Sequence, residues 1–248
     1  MFTHSSSFYY LIEMKKAVIE VLSKIPVISN LMAAFFRFRA HTFFLLHREN
    51  KDVFRQIYIK NRWGNQESVS GPGSTLECTE NIRRELPLLF KSLKIKTVLD
   101  APCGDYNWFG LVQKETGVRY IGADIVPDLV ARNQESFNSH DVSFTLLDIT
   151  SEHLPEADLW LCRDCLFHLR NKDIANVLTQ FKKSKIQYLL TYLHPECLEN
   201  TDIPTGSFRL LNLQLAPFDL PAPILKIKDW IPGLPVCYLA LWDRDMIP

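Results

Sequence analysis

Three apolar runs, each closing on an aspartate, constrain the fold of this 248-residue chain more than any other feature. KTVLDAPCGD puts Asp100 at the end of a short apolar strand and follows it with a turn of small residues, Ala101, Pro102, Cys103 and Gly104. VRYIGADI carries Asp124 and VSFTLLDI carries Asp148 at the matching place. Short continuous apolar runs are what strands buried on both faces of a parallel sheet require. With ADLWLCRD as a fourth, they predict strands near 96–101, 118–124, 142–148, 157–163 and 187–193, and helices near 107–115, 127–138 and 171–183. Alternation at this interval predicts a parallel sheet with right-handed crossovers and helices on both faces. The last apolar run, VCYLALW, is expected to close the sheet as an antiparallel strand.

Ligands of such sheets bind at the carboxyl ends of the strands, so three acidic strand ends on one edge predict a binding site there. A dinucleotide site needs G-x-G-x-x-G, whose second glycine admits a pyrophosphate at a helix N-terminus. Here Gly104 alone remains of that pattern, and Asp105 stands where a phosphate would come. A ligand with a ribose and no phosphate fits better.

On these residues the chain resembles the class I S-adenosylmethionine-dependent methyltransferases, whose acidic-x-Gly-x-Gly-x-Gly motif has its counterpart in Asp100-Ala-Pro-Cys-Gly104-Asp105. The motif's other glycines are missing. The resemblance implies a Rossmann-like, doubly wound, mostly parallel sheet over roughly residues 65–195, with S-adenosyl-L-methionine as cofactor. Asp124 lies twenty residues after Gly104, near the distance at which an acidic strand end accepts hydrogen bonds from both ribose hydroxyls. The resemblance implies that Asp148 meets the adenine amino group, with Leu147 and Ile149 on the ring. Asp100, Pro102, Cys103, Gly104, Ile125 and Arg163 complete the expected cofactor set. A single aspartate after a strand is commonly a cap or turn former, so the argument rests on their joint spacing.

Methyl transfer needs acceptor and methyl group held in line, water excluded and, for some acceptors, a proton removed. The candidates lie beyond the fourth strand, in Arg163-Asp164-Cys-Leu-Phe-His168. The resemblance implies a histidine near the methyl group, which makes His168 the candidate general base, with Asp164 beside it; its alternative is a residue that caps the next helix or packs beneath the loop. Tyr192 and His194 end the fifth strand on the same edge, and Arg209 could hold a carboxylate or phosphate of the acceptor. Trp63, Glu67 and Trp108 flank the site, and Trp108 either covers the methionine end or packs in the core. The loop Ser70-Gly-Pro-Gly-Ser74 could bind an anion through its amides, and Ser74 or Thr75 could cap the helix carrying Ile82, Leu86 and Leu89. The proline-broken stretch 195–235 is a candidate substrate wall, or else an interface with another subunit.

The chain divides into an N-terminal helical extension, 1–64, and a methyltransferase domain, 65–248. Residues 8–24 and 27–60 read as helices broken near Pro26. The longest uncharged run there, Ile25 to Phe36, is twelve residues, short of the roughly twenty that cross a bilayer. Interrupting charges at Glu13, Glu20 and Lys24 also argue against a cleaved signal. The basic, aromatic stretch 31–46 either covers the sheet or a neighbouring subunit, or lies on a membrane surface or partner. Net charge is zero, with 28 basic and 28 acidic side chains, which argues against nucleic acid as a partner. Residues 1–64 hold ten basic against four acidic side chains. The six cysteines are expected as reduced thiols of a cytoplasmic enzyme, and Cys162-x-x-Cys165-x-x-His168 as packing with no metal. These readings converge on a methyltransferase of a small-molecule or carbohydrate-like acceptor; oligomeric state is left open. The different-class alternative is a catalytically silent scaffold that keeps the nucleoside pocket. An enzyme needs an open cavity with a polar group beside the sulfonium position, whereas a scaffold has that space filled.

Overall fold

The computed structural model describes residues 49–113 and 117–248. The expected helix over 8–24, that over 27–60 as far as residue 48, and the basic aromatic stretch all lie outside the described residues.

Apolar runs become the centre of a sheet. Strands β1 (Thr97–Asp100) and β4 (Leu159–Cys162) are buried at every position, as the absence of polar alternation required. They are flanked by β2 (Arg119–Asp124), β3 (Val142–Leu146) and β5 (Tyr188–Leu193), giving a parallel order β3-β2-β1-β4-β5. The order continues through β7 (Tyr238–Asp243) to β6 (Leu225–Lys228), both antiparallel to their neighbours. Strand β7, the run VCYLALW, is therefore antiparallel as expected, but β6 lies outside it and forms the edge.

The chain reverses its direction of travel across the sheet between β1 and β4. That reversal opens a crevice at the carboxyl ends of those strands, where Asp100 and Arg163 sit. Helices α1 (Asn50–Ile59), α2 (Glu80–Leu93), α3 (Pro127–Phe137) and α4 (Asn171–Lys183) are amphipathic. In α4, Ile174, Val177, Leu178 and Phe181 bury one stripe, while Lys182 and Lys183 face the negative end of the helix dipole. Helix α1 is tied to the domain by the Arg55–Asp128 ion pair and by Thr205, whose hydroxyl donates to the Asn50 side chain.

Two local expectations are corrected. No α-helix spans 107–113: a single 3₁₀ turn, Phe109–Leu111, follows β1. Tyr106 adopts φ +59°, which breaks helical geometry, and its ring stacks into a cluster with Phe109, Tyr120 and Phe144. Burying three bulky rings beside one another leaves no helical register to follow. Neither Ser74 nor Thr75 caps α2: a 3₁₀ turn at Pro72–Ser74 intervenes and Thr79 precedes the helix without a side-chain cap.

Candidate active site

The turn after β1 is built around Gly104 and Asp105. Gly104 lies at φ +57°, and a Cβ there would stand 2.2 Å from the Ser70 hydroxyl oxygen, so only glycine fits. Asp105 draws in the loop that carries Ser70: its carboxylate accepts from the Ser68 and Ser70 hydroxyls and from the Val69 amide at 2.9–3.1 Å. The amide of Asp105 donates back to Ser70 Oγ at 3.0 Å. This loop thus meets an anion supplied by the chain itself, directly before the Ser70–Ser74 segment whose amides were a candidate anion site. Gly104→Ala is expected to lose about 1–2 kcal/mol through the left-handed backbone alone. A thermal melt checks it, and an unchanged Tm would show that the loop yields freely.

Asp124 closes β2 and braces the same turn. Its carboxylate accepts from the amides of Gly104 at 3.1 Å and Val126 at 3.0 Å, one on each oxygen. Each oxygen keeps a second lone pair for a ligand. Burial pushes its pKa up to about 6, against the pull of those backbone amides. Asp100 accepts the Tyr120 hydroxyl at 2.7 Å, and burial carries it up to about 7. Asp148 accepts both the amide and the hydroxyl of Thr150 on one oxygen.

All of the expected cofactor residues line one pocket: Asp100, Pro102, Cys103, Gly104, Asp124, Ile125, Asp148, Ile149 and Arg163. Trp108 lines it too, and is also buried in the core beneath Arg163, whose guanidinium lies 5.2 Å from its ring centroid. It packs in the core and borders the pocket at the same time.

A second pocket adjoins the first, lined by Asp164, His168, Tyr192 and His194. Trp63, Ser70, Arg163 and Asp164 line both pockets and form the wall between them. Arg163 is the hub of that wall. It donates to Asp229 through two nitrogens at 2.8 and 3.2 Å, to Asp164 at 2.7 Å and to the Gly73 carbonyl at 2.8 Å. Asp164, held at φ +51°, presents its carboxylate so closely to the backbone that a Cβ at Gly73 would fall 2.5 Å from it. Nothing in the sequence signalled Asp229, which follows β6 in the irregular late region.

The two histidines differ in how far their contacts fix the ring proton. A carbonyl can only accept, so His168 donates from Nδ1 to the Ser207 carbonyl at 2.7 Å, leaving Nε2 as an acceptor in the neutral ring. At His194, Nδ1 lies 3.3 Å from both the amide and the carbonyl of Leu211, so these contacts fit either tautomer. Burial lowers the pKa of both, most directly opposed by the backbone carbonyls they face. Trp63 stacks 5.5 Å from His168, while Phe167 contacts His168, Tyr192 and His194.

Arg209 does not join them. It lines neither pocket, and it donates from Nη1 to the Thr201 carbonyl at 2.9 Å in a buried setting. The late segment folds its Nη1 back on residues 197–202, while Nε and Nη2 are buried without a hydrogen-bond partner among the described residues. The cysteines among the described residues are free thiols, and no group of three or more His, Cys, Asp or Glu side chains there is arranged to hold a metal ion.

With this geometry in place, comparison with known proteins is informative. Residues 98–184 match a methyltransferase domain family. The chain resembles that family over this central stretch. No curated protein sequence matches it. Among solved structures, the methyltransferase fold recurs in magnesium protoporphyrin IX methyltransferase from Synechocystis PCC 6803, solved with bound S-adenosylhomocysteine, at 11% identity and TM-score 0.54, covering 78% of this chain and 97% of that one. It recurs also in PigF, solved with the same ligand, at 12% identity and TM-score 0.50, covering 67% and 56% of the two chains. The likeness to human N-acetylserotonin methyltransferase is partial, at 18% identity and TM-score 0.39, covering 48% of this chain and 35% of that one. The chain also spans 66% of the methyltransferase domain of bacterial CtHen1, at 15% identity, 47% coverage of this chain and TM-score 0.42. No helix among the described residues is long and apolar enough to cross a membrane.

Proposed function

We propose that this chain transfers a methyl group from S-adenosyl-L-methionine to a small-molecule or carbohydrate-like acceptor in the cytoplasm. The observation that carries the reading is the pair of adjoining pockets, one rich in strand-end carboxylates and one holding His168, with Trp63, Ser70, Arg163 and Asp164 as their common wall. The residues present fit the cofactor: Asp124 keeps lone pairs for ribose hydroxyls, Asp148 keeps one oxygen for an amino group, and Ile125 and Ile149 offer apolar faces. When bound, S-adenosylmethionine supplies an activated methyl group on a good leaving group.

The chain's own part is to orient and to accept a proton. His168, neutral because burial lowers its pKa, has Nδ1 committed to Ser207 and Nε2 left to take the acceptor's proton. Asp164, one turn away on the shared wall, favours the histidinium that results and stays anchored by Arg163. The aromatic side chains around His168 keep bulk water from the acceptor atom. A silent scaffold would fill the space beside this wall with apolar side chains; the second pocket, with its polar groups, favours the enzyme. Free thiols at the described cysteines accord with the cytoplasm.

Calorimetry tests the cofactor half of the reading. S-adenosylhomocysteine is expected to bind and NAD is not, since the amide and hydroxyls beside the turn are spent on Asp105; NAD binding of equal strength would overturn it. The same titration has a pH signature. Protonation removes the charge of Asp124, whose pKa is raised to about 6, and turns one of its oxygens into a donor, so affinity is expected to fall as pH drops through that value. Asp124→Asn should flatten this dependence, and a persisting slope in that variant would assign it to another group.

A further inference from the structure

The second pocket combines flat aromatic faces with polar groups that lack protein partners. Its rings are Trp63, Phe167, Tyr192, Phe208 and Trp230, and Phe208 is 55% exposed at the rim. Among them sit Asp164, whose second carboxylate oxygen has no partner among the described residues, and His168 with its open Nε2. His194 lines the cavity as well, and the indole N–H of Trp230 is buried without a hydrogen-bond partner. Acceptors and donors are thus both present, spread around one cavity.

Charge narrows the occupant further. Among the described residues, the only guanidinium lining this pocket is Arg163, and two carboxylates, Asp164 and Asp229, already neutralise it. Arg209 faces Thr201 and Asp202 instead. Among the described residues lining the pocket, an anionic acceptor would meet two carboxylates and one guanidinium already paired with them, which burial makes costly. A simple phenol would satisfy His168 and leave the remaining polar groups desolvated and unpaired, at a cost for each. A ring bearing several hydroxyls meets both donors and acceptors and still lays an apolar C–H face on an aromatic side chain.

We infer, building on the methyltransferase reading above, that this pocket recognises a neutral, hydroxyl-rich ring of the pyranoside kind, with Phe208 as its stacking platform and Asp164, His194 and Trp230 as hydroxyl partners around His168. The hydroxyl at His168 is the one methylated: its proton passes to Nε2, its oxygen forms the new bond to the methyl carbon, and the sulfur keeps the electron pair of the broken carbon–sulfur bond. The products are a methyl ether, S-adenosylhomocysteine and a histidinium that releases its proton to solvent.

The test uses the full chain saturated with S-adenosylhomocysteine, with calorimetry of that ligand first. Absence of its binding would sink the methyltransferase reading itself and this inference with it. Given binding, saturation-transfer NMR compares methyl glucoside, methyl mannoside and methyl rhamnoside with glucuronic acid and naphthol at millimolar concentration. At least one methyl pyranoside is expected to show transfer, with glucuronic acid and naphthol weaker. Phe208→Ala, at an exposed rim position that leaves the fold intact, is expected to weaken the binding pyranoside about tenfold with S-adenosylhomocysteine affinity unchanged. Silence from all three pyranosides, glucuronic acid or naphthol binding as well as the best of them, or an indifferent Phe208→Ala would each overturn the inference.

Discussion

His168→Ala is expected to slow methyl transfer by about 10² to 10⁴ while leaving S-adenosylhomocysteine affinity almost unchanged, the range for loss of a general base. His168 lines the second pocket and not the first, so its removal spares the cofactor contacts. Its Nδ1 bond to Ser207 fixes which nitrogen faces the acceptor, and burial keeps the ring neutral. Because the pKa is lowered, the base form persists on the acid side of the ordinary histidine range, and turnover should fall only as pH drops below it. Single-turnover rates with labelled cofactor measure the chemical step apart from binding. A variant that loses cofactor affinity in parallel with rate would show that His168 shapes the wall and takes no proton.

Asp124→Ala should cost about 1.5–3 kcal/mol of cofactor binding, the range for hydrogen bonds to a charged group. Two sources combine: the ribose loses its acceptor, and the amides of Gly104 and Val126 lose theirs. Asp124→Asn separates them, since an amide oxygen can still accept from one backbone N–H while the charge is gone. Calorimetry with S-adenosylhomocysteine reads both variants. If Asp124→Ala binds as the parent does, the carboxylate is only a brace for the turn and the ribose lies elsewhere.

The late region explains why the second pocket was harder to foresee than the first. Residues lining the first pocket follow strand ends, and strand ends follow from hydrophobic runs, so Asp100, Asp124 and Asp148 could be read from spacing. Asp229, Phe208 and Trp230 come from a stretch without periodicity, where nothing in the pattern says which side chain turns inward. Arg209 shows the same limit: its residue type suited an anion, but the fold of 195–212 places it outside the lining of both pockets with Nη1 on a carbonyl. Trp108 filled two roles at once because a residue at a switch point both completes the core and borders the crevice.

By itself, the sequence determined the parallel sheet, its strand ends and the absence of a phosphate cradle, because burial on both faces and the loss of glycines are local properties of residue type. Tertiary structure alone decided that the loop at Ser68–Ser70 closes on Asp105, that Arg163 bridges Asp164 and Asp229, and that His168 donates from Nδ1 to the Ser207 carbonyl. Each of these depends on partners far apart in the chain, and a hydrogen bond's direction is set by its partner in space, which residue order does not specify.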